Sequence, residues 1–442
     1  SYGVNGNVNG IGNYEVYGEY AQVDAKTYGG ATALYNKKLL NTNLRWEQSQ
    51  TFEVGLDIGF LQNRLSFILD FYSRRTKDLL TKQALPGYTG FSDIVTNMGT
   101  LRNSGFEAEV KANIINKGGF TWDMTANITS VANKIISLPY NNVENNRVGG
   151  YEVAAGKVDA DGKFPTKWIA GRQEGGKLGE LVGYRQQHVF KDWDDVKQHA
   201  NLRVDEVANL YGPGLADQIN PATGKTYKES SGWQPIEPGD ACWEDINGDN
   251  IINGYDRSVM GNIFPNVTGG FSTTFGYKGL SLYARFDYAL GHTLYNDLKA
   301  RSLGQYQGQF NIITDVKDMW SEANPNSDLT KFYYADQLAK KNITRSNNAS
   351  TAADNNSSRY YEKGDYLALR EITLSYQLPK SLISKAHLTE ASVYVTGQNL
   401  FYITGYDGVS PEPAVSTTYG RGIDNGRYPP PRTFLFGLSL TF

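Results

Sequence analysis

FLFGLSLTF (residues 434–442) puts Phe434, Phe436, Leu438, Leu440 and Phe442 at every second position, with Leu435, Gly437, Ser439 and Thr441 between them. Successive residues of a strand point to opposite faces, so this period of two describes a strand with one continuous apolar face that ends on an aromatic carboxyl terminus. The pattern recurs upstream. Residues 120–132 set Phe120, Trp122, Met124, Ala126 and Ile128 against Thr121, Asp123, Thr125, Asn127 and Thr129. Residues 46–58 set Phe52, Val54, Leu56 and Ile58 against Glu53 and Asp57, and residues 65–71 set Leu65, Phe67, Leu69 and Phe71 against Ser66 and Asp70. Segments 103–113, 267–277, 280–290, 365–378 and 391–401 alternate in the same way, giving nine strands with the last one.

Alternation also suits one face of a soluble β-sandwich. Length and charge favour a membrane barrel. The runs are roughly 10–13 residues, about what a tilted strand needs to cross a bilayer. Their polar faces carry ionised groups (Glu107, Glu109, Lys111, Arg285, Asp287) that fit a watery lumen better than a protein core. Composition agrees with an all-β chain: of 442 residues, 30 are Tyr, 19 Phe and 47 Gly. The 43 basic and 46 acidic residues nearly cancel, so no nucleic-acid partner is implied. No apolar run reaches the ~18 residues of a membrane helix. The single cysteine, Cys242, excludes an internal disulfide framework and reads as a small buried residue.

The connections alternate too. Short ones (59–64, 114–119, 277–280 and the moderate 379–390) take turns with long ones (77–102, 133–266, 291–364, 402–430), which predicts short periplasmic turns and long extracellular loops. The strand-like GELVGYRQQHVF (179–190), counted alone as a crossing, would break this parity, so it is expected in an extracellular hairpin. The opening SYGVNGNVNGIGNY has no Met and no signal-peptide pattern, and reads as the tip of a rising strand in a longer barrel.

Several stretches together resemble one family. LRWEQSQTFEVGLDIGFLQNRLSFILDFYSRRTKDLL, NMGTLRNSGFEAEV, DINGDNIINGYDRSVMGNIFPNVTGGFSTTFGYKGLSLYARF, YLALREITLSYQLP, VYVTGQNLFYITGYDGVSPE and RYPPPRTFLFGLSLTF, with SYGVNGN ahead of them, are similar to the C-terminal portion of SusC/RagA-type TonB-dependent outer-membrane transporters. The resemblance covers residues 1–442 nearly end to end. It implies a transmembrane barrel of about 22 strands, of which this chain supplies the last ~10. It also implies a Gram-negative outer-membrane location, an N-terminal plug and further strands outside this chain, coupling to TonB, and a SusD-like surface lipoprotein as lid. Within it, 133–266 is a long extracellular loop region. Residues 434–442 look like the β-signal read during barrel assembly, with Phe434, Phe436, Leu438, Leu440 and Phe442 facing lipid.

The strongest local motif is DINGDNIINGYD (245–256). Oxygen donors fall at loop positions 1 (Asp245), 3 (Asn247), 5 (Asp249), 7 (the carbonyl of Ile251), 9 (Asn253) and 12 (Asp256), the spacing of a Ca2+ loop. Position 6 is Asn250 rather than Gly, tolerable because Asn enters the left-handed region, and position 12 is Asp rather than Glu. A plain Asn/Gly turn is the alternative. A bound ion would stiffen the loop and would not catalyse.

Trp168, Trp193, Trp233, Trp243, Tyr306 and Trp320 fall in the long loops, where aromatic faces either contact substrate or pack the loops. His188, His199, His292 and His387 are scattered, with no zinc-binding spacing, and no hydrolase elbow or phosphate loop occurs. The Glu107/Glu109 pair reads as channel lining, and RSNNASTAADNNSSRYYEKGDY (345–366) as a mobile loop. Arg359 and Arg432 have no feature that distinguishes them from surface charge. The expectation is a non-enzymatic importer of oligomeric nutrients, glycans first and oligopeptides next. A passive porin-like barrel and a soluble β-rich carbohydrate-active enzyme are the alternatives.

Overall fold

The computed structural model describes residues 1–8, 16–28, 31–205, 209–304, 313–332, 357–412, 422–426 and 428–442. Its contacts divide the chain into two compact units. One comprises Ser1–Ile114, Asp123–Gly149 and Gly171–Leu178, and the other Ile115–Trp122, Gly150–Ala170 and Gly179–Phe442.

The ladder of the first unit is built from β1 (Tyr2–Asn7), β2 (Glu47–Phe60), β3 (Leu65–Lys77) and most of β4 (Thr100–Lys117) and β5 (Phe120–Ser137), hydrogen-bonded in that order. That of the second contains β6 (Val267–Tyr277), β7 (Leu280–Leu290), β8 (Tyr366–Gln377), β9 (Glu390–Thr404) and β10 (Thr433–Thr441), again in chain order. Among the described residues these are ten strands, the number the resemblance implies and one more than the alternation alone marks. The extra one, β1, is a Gly/Asn-rich segment whose residues 2–7 pair antiparallel with Glu47–Phe52, a partner its own composition does not reveal. Strands β4 and β5 run 18 residues each, past the expected 103–113 and 120–132 and beyond what one bilayer crossing requires.

Register turns the sequence alternation into two chemically distinct faces. In the first unit Val54 faces Phe71 and Phe71 faces Phe106, while Leu56, Leu69 and Ala108 form the next row and Ile58, Phe67 and Val110 the one after. The opposite face pairs Asp70 with Glu107 and Ser66 with Lys111. In the second unit one apolar row runs Phe275, Leu282, Leu374, Val395, Phe436 across five strands, and its neighbour runs Tyr277, Leu280, Tyr376, Val393, Leu438. Phe436 and Leu438 thus extend rows that begin four strands away, with Phe434 and Leu440 on the same face. They are exposed, as is Phe442, so this face has no protein cover among the described residues. A sheet with one uncovered greasy face and one ionised face is the wall of a membrane barrel.

The short connections have the chemistry that tight hairpins demand. Gly118–Gly119 and Lys278–Gly279 each join two strands through two residues with φ of 66° and 79°, and 47° and 87°. Positive φ at both central positions matches the right-handed twist of the strands. Within each unit, alternate connections of the antiparallel strands lie at one end, and these are the long ones.

The 133–266 region is more structured than a loop. In the second unit it contributes a core of Tyr184, Phe190, Val196, Leu202, Val204, Leu210, Ile236, Ala241, Cys242, Trp243 and Ile252. The 179–190 segment stays out of the ladder, as expected, but it is not a hairpin. It divides into Glu180–Tyr184, paired with Arg257–Asn262, and Gln186–Val189, paired with Ala241–Trp243. Those partners lie about 55–80 residues away in sequence, and local patterning does not encode them. Cys242 is buried among these residues, and burial pushes its thiol up to about 12.

Candidate functional site

The Asp245–Asp256 loop folds on itself. Asp245 accepts from the N–H groups of Gly248 (2.6 Å) and Asn250 (2.8 Å), and Asp249 accepts from that of Ile251 (2.7 Å). Asn250 adopts φ 61°, the left-handed conformation that a Ca2+ loop asks of its sixth position. Asn247 and Asp249 turn toward each other, Nδ2 donating to Oδ2 at 2.9 Å. Ile251 lies in a two-residue strand parallel to Arg203–Val204.

The last two expected donors are engaged elsewhere. Asn253 and Asp256 cap the turn Gly254–Asp256 reciprocally, and Asp256 also accepts from the Ile246 N–H at 2.9 Å. Burial pushes the Asp256 carboxyl up to about 7 against these two backbone donors, and the charges of Asp245 and Asp249 push the same way. Among the described residues, no three Asp, Glu, His or Cys side chains stand close enough to hold an ion between them. The spacing and backbone thus fit a cation loop, while the carboxylates do not converge.

The tryptophans separate by environment. Trp243 is 2% exposed and packs in the loop core, so its expected role as a contact for substrate is corrected to a structural one. Trp233 is half-buried edge-on against Tyr227, centroids 5.0 Å apart. Trp168 is half-buried opposite Glu152 in a two-stranded ladder. Trp193 is exposed and Trp320 half-buried, and these two line one groove. Tyr306 and residues 345–356 of the expected mobile loop lie outside the described residues. Arg359 donates to the Asp328 carbonyl, and Arg432 lines a cavity of about 940 Å³ with Tyr402, Glu412 and Asp424. His188 and His199, far apart by motif, come to 5.8 Å between rings, with His188 Nε2 3.2 Å from Asp195.

A further site carries no motif. The register of β8 slips between Leu369 and Glu371, so Arg370 is an extra residue opposite Arg285 and Phe286. This β-bulge turns Arg370 and Glu371 to the same polar face. Arg370 pairs there with Asp287 of β7 and Glu412 beyond β9, and donates to the Tyr402 hydroxyl at 3.1 Å. Tyr402 in turn donates to Glu412 at 2.8 Å. The only signal in the sequence is the adjacent Arg370 and Glu371 in an otherwise alternating strand.

The family model described as TonB dependent receptor-like, beta-barrel, matches residues 5–203. TonB-dependent receptor P3 of Formosa agariphila is 28% identical over 449 residues, covering all of this chain and 39% of that protein. TonB-dependent receptor SusC of Bacteroides thetaiotaomicron is 28% identical over 436 residues, covering 97% of this chain and 35% of the relative. Among solved structures, the RagAB peptide transporter superposes with a TM-score of 0.67 at 22% identity, over the whole of this chain and 40% of its own, a likeness of fold. The chain spans about two fifths of the length of the curated relatives it matches.

Proposed function

We propose that the chain belongs to the TonB-dependent receptor β-barrels of the Gram-negative outer membrane, which its matches support, and that its parent protein actively imports oligomeric nutrients. The observation that supports this is the two-faced ladder, with apolar rows in register on one side and ion pairs on the other. Such a wall keeps lipid on the outside and lets a hydrophilic cargo pass on the inside. The chemistry is non-covalent throughout. The long loops seat a SusD-like lipoprotein lid, and TonB supplies the energy through a plug outside this chain.

Neutral oligosaccharides are the cargo we favour, with oligopeptides as the other reading. The polar face carries charges of both signs, and several are paired: Arg370 with Asp287 and Glu412, and Lys111 with Glu109 at 2.6 Å. Within these pairs the charges are met inside the wall itself, which leaves hydrogen bonding as what they offer a cargo. Deleting the gene should abolish growth on one class of oligosaccharide, and restoring it without energised TonB should not rescue that growth. Rescue without TonB would point to a passive pore, and a defect confined to peptide media would reverse the cargo.

We also read the Asp245–Asp256 loop as a structural Ca2+ site, on its donor spacing and the left-handed Asn250. Calcium should protect this loop from proteolysis in the intact protein, and Asp245→Asn should remove the protection. Equal cleavage with calcium and with chelator would make the loop a plain turn.

A further inference from the structure

We propose that the groove between Trp193 and Trp320 is a saccharide subsite, an inference that rests on the import reading and gives it a location. The groove has a volume of about 420 Å³, within the range of ordinary ligand pockets. Trp320 forms one wall and is held in place. Its indole N–H donates to the Lys191 carbonyl at 3.1 Å, and its backbone N–H donates to the Leu329 carbonyl at 2.9 Å. Its ring lies so close to Gly239, at φ 90°, that a Cβ there would meet it at 2.6 Å. Only glycine permits both that backbone conformation and that approach.

Trp193 forms the other wall and is 55% exposed at the first position of the helix Trp193–Gln198. Asp192 caps this helix, accepting from the N–H groups of Asp194 (3.1 Å) and Asp195 (2.9 Å), so the backbone that carries Trp193 is fixed as well. A tryptophan left this exposed forgoes most of the burial that such a side chain usually gains.

The remaining lining decides the class of ligand. Lys331 and Glu237 are joined at 2.8 Å, and with Lys191, Asp192 and Glu322 they give the groove a lining of both signs whose charged groups keep hydrogen-bonding capacity. A pyranose ring matches this set, its C–H face lying on an indole while its hydroxyls donate to a carboxylate and accept from an ammonium.

The test is calorimetric titration of the intact outer-membrane protein in detergent with gluco-, xylo-, manno- and galacto-oligosaccharides, and with an oligopeptide mixture as comparison. One oligosaccharide series should bind, and Trp193→Ala, an exposed position that leaves folding intact, should weaken it about tenfold, the loss of one stacked ring. Trp320→Phe should weaken it less, because it keeps a stacking face. Unchanged affinity in Trp193→Ala would overturn the subsite, as would binding by no saccharide, or a Trp193 dependence seen only with peptides. Growth assays separate the two proposals. Uptake that survives alongside unchanged binding in Trp193→Ala removes the subsite and keeps the importer, whereas normal uptake by the deletion strain removes the importer.

Discussion

Replacing Trp243 with alanine should unfold the loop core of the second unit while leaving its five-strand ladder intact. The indole is fully enclosed by residues that include Tyr184, Phe190 and Ile252, each with no measurable exposure. Truncating a buried tryptophan removes its transfer free energy and leaves a cavity, at a cost of about 3–5 kcal/mol. That is a large fraction of what holds a small core together, because the strands around it are only two to five residues long. Limited proteolysis with mass mapping should show new cleavage within residues 180–262 and none in β6–β10. Trp193→Ala, made in parallel, should cleave as the parent does. Protection of 180–262 in the Trp243 variant equal to the parent's would mean that this core does not depend on its largest member.

The second large effect is expected in the membrane. Leu374 sits at the centre of the row Phe275, Leu282, Leu374, Val395, Phe436, flanked on both sides by apolar side chains. An arginine there would place a charge against hydrocarbon, which costs about 2–4 kcal/mol near the bilayer midplane. The neighbouring Thr373 faces the other way, opposite Tyr283 and Thr396, and its hydroxyl lies 2.8 Å from that of Thr396. Thr373→Arg should therefore assemble, and Leu374→Arg should lose most of its folded, heat-modifiable form in outer-membrane fractions. Equal assembly of the two variants would contradict the assignment of faces.

These two experiments fall on either side of what can be read in the sequence. The ladder is legible because its information is local: a period of two over a dozen residues fixes both the strand and its faces, and the place of Leu374 in that period is enough to turn it toward lipid. The loop region is not, because its strands are too short to show a period and find their partners far along the chain, as Tyr184 does with Arg257. Trp193 and Trp243 look equivalent in the sequence for the same reason. Their flanks differ, however. Ala241 and Cys242 precede the buried one, and acidic residues surround the exposed one. The expected Ca2+ loop is legible in its backbone, where Asn250 turns left-handed, and not in its side chains, since Asn253 and Asp256 cap a helical turn.

The bulge at Arg370 sets a limit on how finely charge can be laid along the barrel wall. Strict alternation separates side chains on one face by two residues, about 6.8 Å along a strand. By turning Arg370 and Glu371 inward together, β8 halves that interval at one point and places opposite charges side by side, each with a partner on β7: Asp287 for the arginine and Arg285 in register with the glutamate. The lipid row on the other side is unbroken, because Leu369 and Ile372 still face outward opposite Phe286 and Ala284. One inserted residue thus gives this wall a local grain of electrostatic texture finer than the pleat itself allows, and the surrounding membrane does not register it.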